Sequence, residues 1–94
     1  MNVDQIKVSL GSPNPPEGLS LPLQAMWWQA KGDWHRAHEC AQKDESETGA
    51  WVHAYLHRVE GDLSNAAGWY RRAGRPAATG TLEAEWAEIV AALP

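Results

Sequence analysis

The chain has 94 residues, six of them tryptophan and none phenylalanine, and a formal net charge of −4. This length fits one domain, and the acidic balance argues against the clustered Lys and Arg side chains of a nucleic-acid interface. No apolar run approaches the ~20 residues of a membrane span, and the first residues lack the pattern of a secretory signal. Because Cys40 is the single cysteine and cannot form an internal disulfide, we expect a reduced, cytoplasmic protein. From the charge and the lack of a long apolar run, we expect neither a nucleic-acid nor a membrane partner.

Residues 1–19 are predicted to form an extended N-terminal arm, followed by a helical domain over residues 20–94. The arm contains Pro13, Pro15 and Pro16 between two glycines, a spacing too close for a helix or a central strand. Four apolar residues precede the prolines, so we expect the arm to dock on the helices or on a second copy of the chain. These residues are Val3, Ile6, Val8 and Leu10.

Four helices are predicted over residues 20–73, arranged as two helix–turn–helix hairpins. Apolar residues recur at helical spacing on both sides of each turn. Gly32 ends the first helix of one hairpin, and Gly61 ends the first helix of the other. Asp33 and Asp62 follow these glycines as N-caps, each able to accept hydrogen bonds from free amides of the next helix.

A fifth helix is predicted from Thr81 to the C-terminal end, after a break at Gly74-Arg75-Pro76. Acidic residues in its first turn complement the positive end of the helix dipole. We expect its apolar stripe to cover the second hairpin. The stripe comprises Leu82, Trp86, Ile89, Val90 and Leu93.

The two hairpins share one residue pattern at a constant offset of 29 residues. The shared features are a turn glycine, a capping aspartate, a large apolar residue and a small alanine that permits close helix approach. In the first hairpin these are Gly32, Asp33, Trp34 and Ala37, and in the second they are Gly61, Asp62, Leu63 and Ala66.

This order of residues resembles the tetratricopeptide (TPR) family over residues 20–76, with a period shorter than the ~34 residues of that family. The resemblance implies an all-α, TPR-like fold of stacked antiparallel hairpins, a C-terminal capping helix and the N-terminal arm. It also implies a protein–protein interaction or small adaptor module, whose partner is a protein, a peptide or a second copy of the chain.

In TPR-like arrays the first helix of each hairpin lines a concave groove. By position, the binding residues of this groove are Trp51, Tyr55, Arg58 and Gln29. Aromatic side chains beside an arginine suit a peptide or a partner helix. The alternative is that Trp51 and Tyr55 pack against the last helix or the N-terminal arm.

A second hypothesis is a polar site formed by His53, His57 and Glu60, with His35 and His38 on the preceding helix. It implies a small ligand-binding or metal-binding protein, or an enzyme, because facing histidines can ligate zinc. A helical wheel places His53 and His57 on a solvated face and His38 on the buried stripe. The sequence contains no zinc-protease signature, phosphate loop or nucleophile motif, so we assign no catalytic residue, metal ligand or cofactor.

Overall fold

The computed structural model describes residues 2–93, which form six α-helices and no β-strand. The all-α class predicted from the sequence is therefore confirmed. Within these residues, no helix combines the length and apolar character needed to cross a membrane. The helices are α1 (Val3–Ser9), α2 (Leu21–Ala30), α3 (Trp34–Gln42), α4 (Glu47–Val59), α5 (Leu63–Arg72) and α6 (Leu82–Ala92).

The first part of the N-terminal arm differs from the sequence prediction, because residues 3–9 are helical rather than extended. The Asn2 side chain accepts a hydrogen bond from the Gln5 amide, and the Gln5 side chain accepts one from the Asn2 amide. This capping box starts the helix, and the burial of Ile6, which is 0% exposed, holds it on the core. Pro13, Pro15 and Pro16 lie beyond the end of α1 and therefore do not interrupt it. The helix α1 packs against α6, so the predicted docking of this segment on the helices is confirmed.

The turns of the two hairpins have nearly the same backbone conformation. Gly32 and Gly61 have φ values of 85° and 87°, a region that glycine adopts without the steric cost of a Cβ atom. The amides of Asp33 and Asp62 each donate to a carbonyl five residues earlier, which is the longer bond of a Schellman motif. Each aspartate carboxylate then accepts from the amide three residues later. The predicted stop and cap are confirmed at both turns.

The helix α4 lies at the centre of the molecule. It packs against α5, α3, α2 and α6, while α2 also packs against α3 and α6. Nine of the thirteen residues of α4 are buried, so neighbouring helices cover both its apolar side and much of its polar side. Polar residues of α4 consequently face other helices rather than bulk water.

Candidate functional site

Glu85 on α6 is a buried carboxylate that holds together three side chains from α4 and α5. It is 4% exposed and accepts hydrogen bonds from the Trp51 indole at 3.3 Å, the Arg58 guanidinium at 2.9 Å and the Tyr70 hydroxyl at 2.6 Å. We call these four residues the Glu85 network. A buried charge is costly unless it is paired and hydrogen-bonded, so the network satisfies Glu85 and fixes α6 on the hairpin.

Trp51 and Arg58, two of the predicted binding residues, are therefore engaged inside the molecule. Trp51 is buried, and the Arg75 guanidinium stacks on its ring at 3.4 Å from the centroid. Arg58 also donates a hydrogen bond to the Gly80 carbonyl. Trp51 thus packs against the last helix, as in the alternative drawn from the sequence, and Arg58 contacts that helix and the linker before it.

The environment of the Glu85 network also acts on both tyrosines of the chain. Burial, followed by the charge of Glu85, raises the pKa of Tyr55 to about 12. Burial and the hydrogen bond to Glu85 raise the pKa of Tyr70 well above its ordinary value. Both phenols consequently stay protonated over the physiological range.

Tyr55, another predicted binding residue, is 2% exposed and buried in the core. Together with Gln29, the fourth predicted binding residue, it lines a cleft that α1 and α6 leave open over α2 and α4. Its volume is about 290 Å³, and most of its lining surface is apolar. We call it the apolar groove. Its charged lining residues, Lys7 on α1 and Glu83 on α6, are both exposed. The lining residues are Lys7, Leu10, Gln29, Ala30, Tyr55, Leu82, Glu83 and Trp86.

Three histidines converge where α3 packs against α4, and we call His38, His53 and His57 the histidine cluster. The ring centroids are 4.5 Å apart for His38 and His53, 4.9 Å for His53 and His57, and 5.4 Å for His38 and His57. One nitrogen from each ring lies within 4.8 Å of the other two. Of the two histidines that the sequence hypothesis named on the preceding helix, His38 therefore joins His53 and His57, while His35 is exposed outside the cluster.

The prediction that His53 and His57 lie on a solvated face is wrong, since they are 5% and 7% exposed. The cause is the cover that α3 and α5 provide over the polar side of α4. His38, predicted on the buried stripe, is only partly buried. Two tryptophans pack on these rings: Trp34 stacks on His38 at 4.8 Å between centroids, and Trp69 stacks on His53 at 3.7 Å.

Glu60, the third residue of the predicted polar site, contacts the histidine cluster through His57. Its Oε1 atom lies 2.6 Å from Nδ1 of His57. An acceptor at Nδ1 favours the tautomer that carries its proton there, which leaves Nε2 with a free lone pair. The structure therefore brings His57 and Glu60 into direct contact, with His53 on the adjacent turn of α4.

Burial sets the protonation of the other two imidazoles. It lowers the pKa of His53 to about 4, with further contributions from His38, His57 and Arg72. Burial also lowers the pKa of His38, followed by the effect of His57. Both rings are uncharged at neutral pH, so their nitrogens can accept hydrogen bonds or ligate a cation.

Sequence reasoning did not identify Glu85, Tyr70 or Trp69 as site residues. It assigned Glu85 to the helix dipole, because a glutamate in the first turn is common on that ground alone. For His38 a signal existed, since its place on the apolar stripe of α3 predicts that it faces another helix.

Comparison of the chain with protein-family models, curated proteins and solved structures finds no match.

Proposed function

We propose that the chain is a TPR-like interaction module, which binds a protein or peptide partner by one large apolar side chain in the apolar groove. The observation that carries this proposal is the groove, a cleft of about 290 Å³ over the first helices of the two hairpins. The corresponding surface of a TPR-like array is its concave binding face. Gln29 of α2 and Tyr55 of α4 both line it.

The paired hairpins support the TPR-like part of the proposal. Their turns have matching backbone angles at Gly32 and Gly61, and their capping aspartates make equivalent hydrogen bonds. The small residues of the repeated pattern, Ala37 and Ala66, are 0% and 2% exposed, as close helix approach requires. The helix α6, the predicted capping helix, contacts α4 of the second hairpin and also α2 of the first.

The size and lining of the groove favour a peptide as its occupant. Its volume lies at the lower end of the ~300–1,000 Å³ range of small-molecule pockets, enough for one aromatic or large aliphatic anchor. Exposed Lys7 supplies hydrogen-bond donors, and exposed Glu83 supplies acceptors, for the backbone of an extended segment. A second copy of the chain is a poorer occupant, because its only large, strongly exposed apolar side chains among residues 2–93 are Val8 and Leu63.

Selection from a random-peptide display library against the immobilised protein tests this function. Ala30→Trp fills the groove, since Ala30 is an exposed lining residue at the end of α2. Ala77→Trp adds the same ring to the exposed linker and is the matched control. We expect enriched peptides to share one bulky apolar residue and to lose affinity for Ala30→Trp by about tenfold or more, or roughly 1.4 kcal/mol. Their affinity for Ala77→Trp should equal that for the wild type.

Two results would overturn the proposal. One is a set of enriched peptides that bind Ala30→Trp and the wild-type chain equally well. The other is a concentration-dependent dimer in sedimentation equilibrium that Leu63→Ser and Ala30→Trp both abolish, because the groove would then be occupied by a second copy.

A further inference from the structure

We infer that the histidine cluster binds one divalent transition-metal ion, Zn²⁺, with His38, His53 and His57 as its ligands. The site lies at the contact of α3 with α4 and contains no residue of the apolar groove. The inference is therefore independent of the proposed interaction function.

The spacing of the three rings is close to that of a zinc site. Zinc bound by histidine has Zn–N distances of about 2.0–2.1 Å in tetrahedral geometry, which places ligand nitrogens about 3.3 Å apart. In the chain, one nitrogen of each ring is already within 4.8 Å of the other two. His53 and His57 occupy positions i and i+4 of α4, neighbours on one helix face. Partly exposed His38 has the freedom to close the remaining gap by side-chain rotation.

Glu60 supplies the outer hydrogen bond that is typical of a metal-ligating histidine. Such histidines donate their second ring N–H to a carboxylate, a carbonyl or water, and this bond fixes the tautomer and orients the ring. Oε1 of Glu60, at 2.6 Å from Nδ1 of His57, provides this acceptor and directs the lone pair to Nε2.

The nitrogens of His38 and His53 are available for a ligand. Among residues 2–93, neither ring makes a side-chain hydrogen bond. In the same residues, every fully buried side-chain nitrogen or oxygen has a hydrogen-bond partner. Their unpartnered nitrogens therefore retain contact with solvent. The Trp69 ring, which stacks on His53, limits the orientation of that imidazole.

A small cleft reaches the cluster at His53, the one proposed ligand that lines it. It has a volume of about 190 Å³, and its lining includes His53 and the acidic residues Asp44 and Glu45, together with Arg72. Three protein ligands leave the fourth zinc position to water from this side, the arrangement found in open zinc sites.

Zinc binding to the full chain tests the inference. The protein is treated with a chelator, dialysed and titrated with Zn²⁺ by calorimetry, and metal content is measured by mass spectrometry. We expect one zinc per chain, and with Co²⁺ the visible d–d absorption of a tetrahedral site. His38→Gln is the principal variant, because His38 is the least buried ligand and its replacement is the least disruptive to folding. His35→Gln, an exposed histidine of the same helix, is the matched control.

We expect His35→Gln to bind zinc as the wild type does. Glu60→Gln removes the outer hydrogen-bond partner of a ligand and should weaken zinc affinity roughly 10–100-fold. His38→Gln removes a ligand itself and should weaken it by more than that. Circular dichroism of each variant establishes that it is folded. Absence of stoichiometric zinc on the wild-type chain would overturn the inference. Equal weakening by His35→Gln and His38→Gln would also overturn it, since adventitious surface binding would explain both.

Discussion

Replacement of Glu85 by glutamine removes the charge of the Glu85 network while keeping the shape of the side chain. The guanidinium of Arg58, whose side chain is 15% exposed, then lacks its counter-charge. The side-chain amide of glutamine also carries an NH₂ group, which cannot accept hydrogen bonds from Trp51 and Tyr70 as both carboxylate oxygens do. Loss of one partner of a buried ion pair typically costs about 3–5 kcal/mol. We expect the lower end, about 3 kcal/mol, because Arg58 retains partial access to water.

This loss is a large part of the ~5–15 kcal/mol that stabilises a small domain. At roughly 4–8 °C of melting temperature per kcal/mol for a chain of this size, Glu85→Gln should lower Tm by about 12–24 °C. Urea denaturation followed by far-ultraviolet circular dichroism measures the free energy of unfolding directly.

Glu88→Gln is the matched control for Glu85→Gln. Glu88 lies one turn further along the same helix with its side chain 66% exposed, and its ion pair with Arg75 spans 4.0 Å. Exposed pairs of this kind contribute about 0–1 kcal/mol, so the control should unfold almost as the wild type does. Unfolding free energies of Glu85→Gln and Glu88→Gln that agree within about 1 kcal/mol would show that the Glu85 carboxylate contributes no more than an exposed one.

Three further predictions concern packing and pH. Ala66 is 2% exposed, so Ala66→Leu should overpack the helix contact and lower the free energy of unfolding by about 1–3 kcal/mol. A smaller change, measured by urea denaturation, would contradict the close helix contact. Ile6→Ala should cost about 2–5 kcal/mol, whereas Val8→Ala, at an 82% exposed position of the same helix, should leave stability unchanged. Tyrosines of an unfolded chain ionise near pH 10, whereas Tyr55 and Tyr70 keep their protons to higher pH in the folded chain. The free energy of unfolding should therefore fall as the pH rises from about 10 towards about 12. In an alkaline titration, phenolate absorbance should therefore appear together with unfolding, and its appearance in the folded chain would contradict the buried network.

The features predicted correctly from the sequence are those that local interactions determine. At both turns a glycine with positive φ and an aspartate cap act within six residues, so the pattern alone locates Gly32-Asp33 and Gly61-Asp62. The helix α1 was not predicted because a seven-residue helix is marginal by itself. Its stability depends on the capping box and on burial of Ile6 by distant parts of the chain.

The candidate sites depend on contacts between distant residues, which periodicity cannot supply. A helical wheel describes one isolated helix, and it places His53 and His57 in solvent because it does not include α3 and α5. Glu85 meets Arg58 and Trp51 across 27 and 34 residues of sequence. The sequence predicted these two α4 residues among four binding residues, but their partner on α6 could be found only from the fold.

NMR tests the claim that the apolar groove receives one apolar side chain of a partner. Amide and side-chain shifts of the isotopically labelled chain are recorded while the best peptide from the display selection is added. We predict that the largest shifts and the intermolecular contacts fall on Leu10, Gln29, Tyr55, Leu82 and Trp86, which all line the groove. Shifts concentrated on other faces of the molecule, with these five residues unchanged, would contradict the claim.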